Sequence, residues 1–292
     1  MGYLLFSVCC SVSVSVLLKL ARRYGMDLGQ AVAFNYVAAS FLTVWLLKPD
    51  LSDWGRYGAD WPLFAALGVL LPSVFVLMGK AVDAAGIVKS DAAQRLSLFL
   101  TVLASFAVFG EQLKHNGQAV GLALAFAALF CLSVRQDGAG ARAKGWRGAL
   151  LLSGVWAGYG VIDILFKQLS KSGTALSGNL LVVFVLAGGL MFGRLVLQKA
   201  RWTRAGVAGG LLLGCLNFGN IWSYLMAHRA MQDNPTLVFA GMNIGVIAGG
   251  TLVGALVFRE KMSLLNVSGI AVALCAVACL FYWDVLAAGF GF

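Results

Sequence analysis

The sequence predicts an all-α membrane protein of ten transmembrane helices, arranged as two inverted five-helix repeats. Three observations carry that expectation. The 292 residues are 60% hydrophobic and 12% charged, whereas a soluble domain carries about 25% charged residues, so polar side chains are too few to cover a water-facing surface. Apolar runs of membrane-spanning length recur along the whole chain. The two halves of the chain also resemble each other.

A bilayer core of ~30 Å needs roughly 20 apolar residues per helix. The first such run, 2–20, has no positive residues ahead of it and is followed by Arg22 and Arg23, which marks a retained helix rather than a secretory signal. The second, 28–47, is separated from the third, 62–81, by the polar KPDLSDWGRYGAD at 48–60. Pro72 falls inside the third run and predicts a kink. Runs four and five cover 90–109 and 116–134, and the polar, glycine-containing RQDGAGARAKGWR at 135–147 is the midpoint. The remaining runs fall at 148–167, 177–197, 205–228, 235–258 and 264–286. The chain thus reads as one membrane domain, with a first repeat over 1–134, a cytoplasmic linker over 135–147 and a second repeat over 148–292.

The repeat is legible in short alignments. VFGEQLKHNGQAVGLALAFAALFCLS from Val108 reads against VFREKMSLLNVSGIAVALCAVACLFY from Val257, setting Glu111 opposite Glu260. VLLKLARRYG (16–25) reads against ILFKQLSKSG (164–173), setting Lys19 opposite Lys167, and Lys80 falls opposite Arg229. Five spans per copy force the second copy to enter the membrane from the other side, so the repeat is inverted. Inverted repeats place a substrate site near the bilayer midplane between the copies, and rocking of one against the other gives alternating access.

With these features the chain resembles the drug/metabolite transporter superfamily in its ten-helix EamA-type form. The resemblance covers essentially the whole chain and rests on the 5+5 arrangement, the helix-end segments Val108–Glu111 and Val257–Glu260, and the Gly-rich helix after each. It implies secondary transport of small metabolites, often amino acid or metabolite export. The proline that the resemblance would place early in helices 4 and 9 is absent near Arg95 and Asn243.

Net charge is +10, but the cations sit mostly in short connections beside apolar runs, the pattern of orientation signals and headgroup contacts rather than of nucleic-acid binding. Sixteen of the 22 Lys and Arg lie on the side of the odd-to-even connections and six on the other. The positive-inside rule then places both termini outside the cytoplasm of an inner (plasma) membrane, whereas the resemblance implies cytoplasmic termini. The six cysteines, all within apolar runs and without a CxxC pair, read as buried small hydrophobes.

Polar stripes inside the runs give the candidate substrate-binding residues. On helix 6, Trp156, Tyr159, Asp163 and Lys167 share one face. Asp163 is the acid within the apolar runs and the candidate coupling site for a proton or an amine. An i,i+4 pair between Asp163 and Lys167 is the plainer alternative. Helix 8 repeats the spacing with Asn217, Asn220, Tyr224 and His228, where the asparagines also suit interhelical hydrogen bonds and His228 suits the membrane interface. Helix 4 offers Gln94, Ser97, Thr101 and Ser105, with Arg95 two turns inside. Its guanidinium suits a carboxylate or phosphate, or else snorkelling or a pair with Asp91. Asn243 aligns with Gln94 across the repeat, and Asn35, Tyr36, Ser40 and Thr43 add a helix 2 wall. Trp45, Trp54, Trp61, Trp146, Trp202 and Trp283 fall near span ends as an interfacial belt would, while Trp156 and Trp222 do not. Gly pairs at 154/158, 210/214, 245/249 and 250/254 predict close helix packing.

The function expected is secondary active transport of a small polar or zwitterionic metabolite, an amino acid or related compound, with export as the direction and protons as a coupling ion. The partners expected are that metabolite and the lipid bilayer, with the chain a monomer or weak homo-oligomer. No cofactor is predicted. A membrane-embedded enzyme acting on a lipid or isoprenoid substrate is the alternative, disfavoured because His115 and His228 lack a carboxylate at catalytic spacing. A scaffold or channel subunit leaves the duplication unexplained.

Overall fold

The computed structural model describes residues 1–23, 25–50, 58, 60–85, 87–112, 116–133, 145–171, 176–258 and 264–283. Glu260, His115 and most of the linker lie outside them, as do the side chains of Lys19 and Asp91. The described residues form helices α1 (Gly2–Arg23), α2 (Leu28–Leu47), α3 (Trp61–Ala85), α4 (Ile87–Ala107), α5 (Asn116–Ser133), α6 (Gly145–Lys171), α7 (Leu176–Leu197), α8 (Arg204–Ala230), α9 (Pro235–Phe258) and α10 (Leu264–Phe281). No strand occurs among the described residues. Six of these helices are long and apolar enough to cross a membrane, and α1, α4, α5 and α10 contain shorter apolar stretches. The surface is apolar where a bilayer would touch it: Phe41, Trp45, Leu197, Leu256 and Leu264 are 64–89% exposed. The fold is therefore an all-α membrane protein.

Local chemistry explains the helix ends. Asp27 accepts from Gln30 N to start α2, and Thr203 accepts from Gly206 N to start α8, each satisfying one of the N–H groups that a helix start leaves without a partner. Lys48 and Lys199, at φ 45° and 49°, take the left-handed conformation just past α2 and α7. Helix α3 runs unbroken through Pro72.

Packing directions follow from the glycines. A Cβ on Gly206, Gly210 or Gly214 would meet Gln30, Phe34 and Ala38 in turn, so α8 and α2 run parallel with their backbones almost touching. Gly241, Gly245 and Gly249 meet Leu4, Val8 and Val12, making α9 parallel to α1. Gly154 and Gly158 meet Leu77 and Val74, making α6 antiparallel to α3. Gly29 meets Leu195 and Gly188 meets Tyr36, so α2 and α7 are antiparallel. Gly117 meets Trp283 and Gly121 meets Leu280, so α5 and α10 are antiparallel as well. The small-residue pairs at 154/158, 210/214 and 245/249 are thus packing contacts, whereas a Cβ on Gly250 would meet nothing within 4 Å.

The core lies between these helices, with Phe64, Leu180, Phe184, Leu225 and Phe239 among its fully buried side chains. Three of the six free cysteines, Cys9, Cys215 and Cys275, face outward instead of being buried. In an apolar bilayer a small, weakly polar thiol carries little penalty there.

One polar joint ties the starts of α2 and α8. Gln30 Nε2 donates to Arg201 O at 2.6 Å, and Gln30 Oε1 accepts from Thr203 N at 2.9 Å and Thr203 Oγ1 at 3.1 Å. Gln30→Ala strands all three partners and is expected to cost about 1–3 kcal/mol. A thermal melt of the detergent-purified protein reads this, and an unshifted midpoint would show that the joint is dispensable.

Candidate substrate and coupling site

The polar stripe of α6 does not act as one unit, because its residues turn toward different neighbours. Trp156 Nε1 donates to Leu96 O of α4 at 3.0 Å. Asp163 accepts from the Tyr224 hydroxyl of α8 at 3.2 Å. Lys167, fully buried, donates to Gln232 O in the α8–α9 connection at 3.0 Å. Asp163 and Lys167 therefore do not form the i,i+4 pair that their spacing allows. Among the described residues, the Asp163 carboxylate bonds a phenol on another helix and not its own lysine.

The stripe of α8 divides in the same way. Asn220 accepts from Ser7 Oγ of α1 at 2.7 Å through Oδ1 and at 3.1 Å through its backbone O. Tyr224 is 5% exposed and packs edge-on against Phe166 of α6. His228 is not interfacial, as its spacing indicated, but fully buried between Tyr224 and Phe239, with ring centroids 4.7 and 4.8 Å away. Neither of its nitrogens has a hydrogen-bond partner. Asn217 is half-buried. Trp222 packs edge-on against Tyr3 at 6.0 Å, a packing role.

Further polar groups lie on α2 and α6. Tyr36 of α2 is buried, 6.4 Å from the Phe184 ring, and Tyr159 of α6 is half-buried. Asn35 is buried beside it with Oδ1 unpartnered. Asp163 and Tyr224 thus meet between α6 and α8, while Tyr36 and Asn35 lie on α2, which a glycine crossing holds against α8.

Other residues lie apart from that group. Asn243 donates Nδ2 to Phe239 O of its own helix at 3.0 Å, and Gln94 is half-buried on α4. Thr101 and Ser105 likewise bond carbonyls of α4 itself, the usual way for a hydroxyl to sit in an apolar helix. Arg95 is 9% exposed. Trp156 meets Leu96, and Gly160 meets Leu100, so α4 and α6 run parallel in a fixed register. That register puts Arg95 roughly eight residues, about 12 Å of helix rise, from the level of Asp163. A guanidinium also leans toward its helix N-terminus, away from that level. Arg95 and Asp163 therefore do not clasp the two ends of one α-amino acid in this conformation.

Apart from these, an open groove of about 430 Å³ lies on the outward face of α7 beside Gly189, Gly193 and Leu197. A second polar cluster, missed by the stripes, gathers at the end of the bundle around Glu111, which is 8% exposed. Its sequence signal was the Val108–Glu111 repeat match, read as a helix-end marker and not as a contact.

Apolar outer surface, membrane-length helices and a buried polar interior define a multi-pass α-helical membrane protein. The sequence is 52% identical over 289 residues to an uncharacterized protein of Haemophilus influenzae strain Rd, over 97% of this chain and 99% of that one, and the chain belongs to that protein's family. No family model matches the sequence. A crystal structure of a protein 10% identical in sequence superposes with a TM-score of 0.72 over 96% of each chain, which shows a shared fold.

Proposed function

We propose that this chain is a secondary active transporter of a small polar or zwitterionic metabolite, an amino acid or related compound, working by alternating access between two inverted five-helix repeats. The resemblance to ten-helix EamA-type carriers points the same way, as does its export direction. The observation that carries the reading is the pattern of helix partners. Renumbering each helix of α1–α5 as its counterpart five later, and the reverse, turns α1·α8 into α6·α3, α1·α9 into α6·α4 and α2·α8 into α7·α3, and all six pairs are packed. The self-counterpart pairs α2·α7 and α5·α10 are packed too, and antiparallel. A two-fold axis in the membrane plane produces that pattern, since it exchanges the halves and reverses their direction.

In this reading ten alternating spans set the α4–α5 connection and the α7–α8 connection on opposite faces. With the native cysteines replaced, Gln112→Cys and Gln198→Cys should react with an impermeant maleimide from opposite sides of sealed vesicles. Glu111→Cys and Glu260→Cys should also label from opposite sides, and labelling of both from one compartment would remove the inversion. The Lys and Arg bias places the odd-to-even face in the cytoplasm of an inner membrane, and the termini outside.

Asp163 is the coupling group: an acid near mid-membrane whose proton or amine partner changes as the site alternates. Tyr224, Tyr159, Tyr36 and Asn35 supply neutral hydrogen-bond groups to the rest of the substrate, with Trp156, Asn217, Asn220, Gln94, Arg95 and Asn243 further along the pathway. The direct test is counterflow and pH-driven flux of a panel of radiolabelled amino acids and amines in proteoliposomes. Flux no faster than in protein-free liposomes for every compound would reject the carrier.

A further inference from the structure

The α4–α5 connection reaches across the bundle to the start of α9. Gly110, at φ 66°, takes a left-handed turn past the end of α4 that residues with a Cβ resist, and Glu111 N folds back to donate to Ser105 O at 3.0 Å. The turn aims the Glu111 carboxylate at Thr236. Its Oε2 accepts from the Thr236 backbone N–H at 3.1 Å and from the Thr236 hydroxyl, and its Oε1 accepts from Gln118 Nε2 at 3.0 Å. A helix start offers N–H groups without partners and a positive partial charge, so a carboxylate is the matched acceptor. Burial excludes the water that would compete for it.

Neighbouring contacts differ in what they join. Lys167 to Gln232 O and Arg229 Nε to Ser170 O, at 3.0 and 3.3 Å, stay within residues 148–292. Glu111 to Thr236 joins the two halves of the chain, supported by Lys171 Nζ 4.9 Å from the Phe109 ring centre. A motion that parts the α4–α5 connection from the start of α9 leaves the first kind intact and breaks the second.

We propose that Glu111 is a gating residue, whose bond to the start of α9 holds the transport pathway shut at this end of the bundle and is released each time that end opens. The proposal rests on the carrier reading, and its test needs no knowledge of the substrate. Tyr159→Cys, in protein without the six native cysteines, reports access to the interior from either side of sealed vesicles. Adding Glu111→Gln, which keeps the shape and removes the charge, should speed labelling by an impermeant maleimide from the α9-start face about tenfold or more, and leave the rate from the other face unchanged. Glu111→Ala should raise it further. Gln30→Ala, which loosens the joint at the opposite end, should leave the rate from the α9-start face unchanged. Equal rates for Glu111 and Gln at position 111 would overturn the gate, and so would a rise from both faces with a lowered melting temperature, the mark of plain structural support. One-sided opening in a protein that carries no solute in liposomes would keep the gate and reject the carrier.

Discussion

Asp163→Asn is expected to reduce pH-driven flux to the level of protein-free liposomes while the protein still purifies as a folded species. The fold survives because asparagine keeps an oxygen able to accept from Tyr224, the one bond that Asp163 makes to another helix. What is lost is the ability to gain and lose a proton, or to hold an ammonium group, at a site where few other side chains can substitute. Tyr224→Phe should act in the same direction but less strongly. Removing a hydrogen bond to an ionisable carboxyl costs about 1.5–3 kcal/mol, which corresponds to roughly a tenfold or greater loss if it is expressed in the transition state. Unchanged flux in Asp163→Asn would remove the residue from the mechanism, and an unfolded variant would show that its bond to α8 is structural.

The largest stability effect is expected at Gly214. An added Cβ would lie 2.4 Å from Asn35 O and 2.6 Å from Ala38 Cβ, and the first of these is backbone that no rotamer change can clear. Overpacking of this kind costs about 1–3 kcal/mol. At 2–4 °C for each kcal/mol in chains of about 150–250 residues, Gly214→Ala should melt about 2–12 °C below wild type. Gly250→Ala is the matched control: nothing lies within 4 Å of its would-be Cβ, and alanine favours the helix by about 0.5–1 kcal/mol, so its midpoint should hold or rise. A Gly214→Ala melt indistinguishable from that of Gly250→Ala would mean that α2 and α8 part easily.

The helices were legible because each is written as a run of one solvent preference. Helices α2 and α9 start and stop where the sequence sets them, and α6 and α8 extend a turn or less past their apolar runs into polar residues such as Lys171 and Arg204, since hydrogen bonding continues after hydropathy falls. The glycine spacings announced close packing, although Gly250 shows that spacing alone does not say whether a partner helix is there. The site was legible in part. Asp163 and Tyr224 come together as their stripes implied, but a stripe fixes a face of a helix and not which neighbour each residue meets. Asn220 goes to α1, Tyr224 to α6 and His228 toward α9. Glu111 stood out as a repeat match but not as a contact, because its bond to Thr236 depends on a left-handed turn at Gly110 and on a residue far along the chain, neither of which hydropathy encodes.

The seating of α5 against α10 bears on how the protein is made. The Trp283 ring lies where a Cβ on Gly117 would be, and Leu280 closes over Gly121, so α5 has its principal partner at the far end of the chain. During synthesis α5 must wait in the membrane while five further helices emerge from the ribosome. Until then its glycine-lined face is open to lipid or to insertion-machinery helices, and nascent chains released before Trp283 would keep that groove exposed.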